Sequence, residues 1–131
     1  MLLGEHYPGQ GVSDFHGGVA PDMEILFLGS NQFSHFSGKN LMGLGSLFGL
    51  DLGDNQLTNF DATTFQAVTP QLYLLLNDNY LTTYPEIEFG MYQNVFLFLN
   101  NNKFRSLPVE EYASQNINPY GTVLYLPDNC I

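Results

Sequence analysis

Positive charge and cysteine are scarce in this sequence, tryptophan is missing, and so is any long apolar run. Only Lys39, Lys103 and Arg105 stand against 13 Asp and Glu, for a net charge of −10 over 131 residues. Three scattered cations cannot build the basic stripe that a phosphate backbone demands, so nucleic acid is not an expected partner. The longest apolar stretches, such as Leu72–Leu76 and Val95–Leu99, fall far short of the about 18 residues of a membrane span. Met1-Leu2-Leu3 gives way at once to Gly4 and Glu5, which leaves no core for a signal peptide. The single Cys130 excludes an internal disulfide and any multi-cysteine metal site. Charged residues make up 12% of the chain, while 44% is hydrophobic and 15% aromatic. That balance excludes a disordered acidic tail. The length suits one domain.

Chemistry is scarce as well. His6, His16 and His35 recur at no metal-ligand spacing, and no motif ties a base to Cys130. Gly17-Gly18 follows no strand pattern and opens no helix, so it is not a phosphate loop. No N-x-[ST] triplet occurs among the 13 Asn residues, so N-glycosylation is not expected. Neither a catalytic residue nor a cofactor is expected.

What is present is a repeat. Asn31, Asn55, Asn79, Asn102 and Asn129 follow one another at 24, 24, 23 and 27 residues. Three residues before each lies Leu28, Leu52, Leu76, Leu99 or Leu126, and five before lies Leu26, Leu50, Leu74, Leu97 or Leu124. Two residues after come Phe33, Leu57, Leu81, Phe104 and Ile131. Further apolar columns follow at Phe36, Phe60, Tyr84 and Leu107, then at Leu41, Phe65, Phe89 and Tyr112, then at Leu44, Val68 and Tyr92. The fourth unit breaks step there with Gln115 and carries its extra length around residues 115–120. Alternate residues of a strand face one side, so each L-x-L pair points into a shared core. Stacked Asn side chains would form a ladder across the turns, bonding backbone groups otherwise left orphaned. Each coil then needs its neighbours for burial.

The pattern L-x-x-N-x-L-x-x-[FYL]-x-x-x-x-[FLY], with Tyr84-Pro85 and Leu107-Pro108 at the Leu-Pro step, resembles the leucine-rich-repeat proteins. The match is to their "typical" subclass of roughly 24 residues, over residues 23–131. The resemblance implies an α/β-type repeat solenoid, an arc with a parallel β-sheet on its concave side. Mostly irregular loops or short 3-10 turns would form the convex side. The expected organisation is a single solenoid over 1–131. Its units are 23–46, 47–70, 71–93 and 94–120, with a partial one at 121–131. Residues 1–22 read either as an irregular cap or as a degenerate repeat; the second aligns Met1–Gly4 with Leu26–Gly29 and puts His6 at the Asn position. The chain stops on a strand-and-turn segment, so a piece of a longer array is expected, or ends covered by neighbours. Localisation by resemblance is extracellular or at the cell surface.

The strand positions that point away from the core are Ile25 and Phe27, Gly49 and Asp51, Tyr73 and Leu75, Phe96 and Phe98, Val123 and Tyr125. Eight of these ten are apolar or aromatic, enough for a patch larger than a soluble monomer leaves exposed without use. All but Gly49 are the expected partner-binding residues, with Tyr73, Phe96, Phe98 and Tyr125 as anchors. A further column, Ser30, Asp54, Asp78, Asn101 and Asp128, lies just before the Asn. Asp54 and Asp78 with Asn77 and Asn100 form a weak Ca²⁺ candidate; solvated acids are the simpler reading. The expected function is non-enzymatic, binding a protein partner or self-assembling through the aromatic face. A permanent subunit of a large complex or filament, or a carbohydrate- or lipid-recognition domain, are the alternatives.

Overall fold

The computed structural model describes residues 4–6, 11, 21–36, 38–41, 43–60, 71–113, 115, 117 and 121–131. Within them the strands are β1 (Gly4–His6), β2 (Ile25–Phe27), β3 (Gly49–Asp51), β4 (Gln71–Leu75), β5 (Asn94–Phe98) and β6 (Thr122–Tyr125). They lie side by side in chain order, and every adjacent pair is parallel. The register from β2 onward is that of the repeat: Leu26, Leu50, Leu74, Leu97 and Leu124 stand opposite one another in turn. The chain is a parallel-strand β-solenoid with very little helix. Its return segments hold short 3-10 turns at Gly38–Leu41 and Phe89–Met91 and one α-helical turn, α1 (Val109–Tyr112).

Period-two alternation decides which side chains enter the core. In β4, Leu72 and Leu74 are buried between half-buried Gln71, Tyr73 and Leu75, and β5 repeats the pattern around Val95 and Leu97. Behind the strand leucines sits a second buried layer of Phe33, Leu57, Leu81 and Phe104. Beyond that layer, Phe36 stacks against Phe60 at 6.4 Å, and Tyr84 lies nearly flat on Phe104 at 4.1 Å. Leu107 occupies the same column but is 55% exposed. Phe65 and Val68 lie outside the described residues, as do His16 and the loop-rich part of the first 22.

After each strand the chain must turn sharply, and the turn is made by one left-handed residue per coil. Ser30, Asp54, Asp78, Asn101 and Asp128 all have φ between 54° and 62°. Asp and Asn tolerate this region better than other side chains do. The backbone therefore accounts for the polar column just before the Asn.

The asparagine that follows closes the turn in both directions. The Asn79 amide donates to the carbonyls of Leu76 (3.2 Å) and Asn77 (3.1 Å) in its own coil and of Leu52 (3.0 Å) in the preceding one. Its Oδ1 accepts the Leu57 N–H at 2.9 Å. Asn55 and Asn102 repeat the arrangement on Leu28 with Phe33 and on Leu76 with Leu81. Asn129 does so on Leu99 with Phe104, and Asn31 donates to Leu28 and Gly29 of its own coil.

Two features depart from the sequence expectation. β1 pairs with β2 in the register Gly4 to Ile25, Glu5 to Leu26 and His6 to Phe27. Gly4 therefore does not align with Gly29, and His6 does not take the Asn position; a match of apolar residues by type does not constrain a strand register. Gln115, the residue that broke step, takes the place of backbone pairing. Its Oε1 accepts the Phe89 N–H at 2.8 Å and its Nε2 donates to the Ile87 carbonyl at 2.6 Å.

Candidate functional site

The outward face of the sheet carries two columns of side chains. Ile25, Gly49, Tyr73, Phe96 and Val123 form one, and Phe27, Asp51, Leu75, Phe98 and Tyr125 the other. Parallel strands set neighbours about 4.8 Å apart, close to ring-stacking distance. The Tyr73 and Phe96 rings accordingly stack at 4.6 Å with 7° between their planes. Phe98 and Tyr125 lie tilted at 5.8 Å. Mutual packing leaves Ile25, Phe27, Tyr73, Leu75, Phe96 and Phe98 half-buried, while Val123 and Tyr125 are exposed. All nine outward residues singled out in the sequence thus lie on one face.

Phe48 joins this face although its sequence position gives no sign of it. Counting back by twos from Leu52 and Leu50 assigns Phe48 to the core. The N–H groups of Phe48 and Gly49 both donate to the Glu24 carbonyl, a local bulge that breaks the alternation. The Phe48 ring ends 6.0 Å from that of Tyr73. At Gly49 itself a Cβ would sit 3.2 Å from Ile25 Cγ1, so Ile25 already covers the gap.

The face gives way to a hollow at its turn end. Gly29, Ser30, Asp51, Gly53, Asp54, Leu75, Asn77 and Asp78 line it. At residue 53 a Cβ would come within 2.8 Å of Asn77 Oδ1, so a larger residue there must displace the Asn77 side chain. Asp51 lies over Gly29 and accepts the Gly53 N–H at 2.9 Å. Asp78 accepts from the Asn77 amide at 2.6 Å and from the Asn101 amide. The hollow holds three carboxylates and no Lys or Arg. Lys103 and Arg105 lie beyond the ladder residue Asn102, and His35 is exposed on a turn. Among the described residues no group of three His, Cys, Asp or Glu is arranged to hold a metal ion.

Comparisons with protein families, curated proteins and solved structures gave no match. The functional reading rests on the geometry of the face itself. No helix of the described residues is long and apolar enough to cross a membrane.

A second hollow lies among the return segments, walled by Glu86, Glu88 and Glu111 with Tyr84 and Tyr112. Burial, reinforced by the Glu111 charge, pushes the Tyr84 phenol up. The Tyr112 phenol is pushed well above the usual range, by burial first and then by Glu111 and Tyr84. Both hydroxyls are donors at neutral pH, Tyr84 to the Ser106 carbonyl and Tyr112 to that of Pro85, each at 2.6 Å. These contacts tie the return segments together.

Proposed function

We propose that the chain is a leucine-rich-repeat interaction module of the typical subclass, without catalytic activity, that works outside the cell or at its surface. It holds a protein partner against the outward face of its sheet. The observation that carries this reading is the two pairs of rings on that face, Tyr73 with Phe96 and Phe98 with Tyr125. Aromatic side chains bring large contact areas to an interface, and rings already stacked lose little freedom when a partner covers them.

The test is a paired comparison. Partners captured from source material by the wild-type chain are compared with those captured by the Phe96→Ser/Phe98→Ser variant. Loss of a partner, with circular dichroism and melting unchanged, is the expected result. Equal capture by both chains refutes the face as the binding surface.

A second reading is a permanent subunit of a larger assembly. Exposed apolar residues in interior coils favour it: Tyr80 is 53% and Met91 49% exposed. Sedimentation as a monomer at high concentration would count against it.

A further inference from the structure

We propose that the segment bound by this face is basic: a stretch of polypeptide whose Arg or Lys ends enter the acidic hollow while its apolar parts lie on the rings. The proposal rests on the reading of the sheet face as an interaction surface and specifies what that surface takes.

Charge complementarity comes first. Asp51 and Leu75 belong both to the outward face and to the hollow, so ring platform and carboxylates form one continuous surface. Asp51, Asp54 and Asp78 face it, and none of the described residues of either part is a Lys or Arg. A guanidinium suits both halves. It pairs with a carboxylate through parallel N–H donors, and it lies favourably on an aromatic plane such as the Tyr73–Phe96 stack.

Charge also opposes the simplest rival, a second copy of this chain. Each copy carries −10, and apposing two such faces would bring three carboxylates from each side together with no cation between them. The second acidic hollow has no such platform beside it, since its two tyrosines are buried.

The experiment uses the 131-residue chain and two synthetic peptides that alternate Leu with Arg or with citrulline, the uncharged analogue of the same shape. Affinities are measured by calorimetry at low and high salt. The Arg peptide is expected to bind at least about tenfold tighter than the citrulline peptide, with the advantage shrinking as salt rises. Asp51→Asn/Asp54→Asn should remove that advantage. Asn keeps an acceptor for the Gly53 N–H and tolerates the left-handed turn at residue 54, so the fold is preserved. Glu86→Gln/Glu111→Gln removes equal charge from the second hollow and should change affinity less than about twofold. Equal binding of the two peptides, both lost in Phe96→Ser/Phe98→Ser, overturns the basic partner and leaves the sheet face standing. Arg-peptide binding that survives Phe96→Ser/Phe98→Ser overturns the face reading along with the proposal. Loss of binding through the Glu86/Glu111 pair, or no binding to the wild-type chain, overturns the proposal.

Discussion

At the residue scale, the turns depend on two adjacent positions with opposite requirements. The ladder asparagine must be both donor and acceptor. Asn79→Ala takes the acceptor from the Leu57 N–H inside a buried turn, while the carbonyls of Leu52, Leu76 and Asn77 keep donors in Asn55, Asn102 and the Asp54 N–H. One buried orphan donor costs about 1–3 kcal/mol, so a loss of that order is expected in urea unfolding. The residue before it needs only to tolerate positive φ. Asp54→Asn should therefore stay within about 0.5 kcal/mol of the wild type, whereas Asp54→Val should cost about 1–2 kcal/mol. The same urea titration distinguishes the two substitutions. The composition Ser, Asp, Asp, Asn, Asp already carried this requirement in the sequence, where it read as a row of surface acids.

At the scale of elements, the short helix α1 is held to the preceding coil through Tyr112. Its ring meets Phe89 edge-on at 4.8 Å, and its hydroxyl donates to the Pro85 carbonyl. Burial keeps this phenol protonated above the ordinary range near about pH 10, so the unfolded chain ionises first. The stability from neutral Tyr112 is complete below about pH 10 and is lost as pH rises toward the folded value. Urea midpoints should hold from neutral pH to about 9 and then fall. Tyr112→Phe should start lower by about 1 kcal/mol and fall less steeply. Elements were legible in the sequence wherever coils share an environment. The L-x-L pairs and the Asn appear five times, so each column was sampled five times over. Single events were not legible. The bulge that turns Phe48 outward leaves no mark in residue type, and Gln115 looked like a lapse because its side chain imitates backbone pairing. β1 lacked a ladder asparagine to anchor its register.

At the scale of the whole molecule, the buried layers are apolar and nearly all charge lies outside them with one sign. Thirteen acids against three cations repel one another across the surface. Salt shortens the reach of that repulsion to about 8 Å at physiological strength and about 3 Å at 1 M. The melting temperature should accordingly rise when sodium chloride is raised from low to molar concentration, measured by circular dichroism. A melting point that falls instead would mean that attractive pairs dominate the surface. The ladder also has a sense of direction along the chain. Every interior asparagine reaches back to the coil before it, so the turn at Phe33 is finished by Asn55, and the turn at Leu57 by Asn79. During synthesis a coil therefore stays unfinished until its successor emerges from the ribosome. Closure trails elongation by one repeat, and the newest coil of the nascent chain is always the loosest.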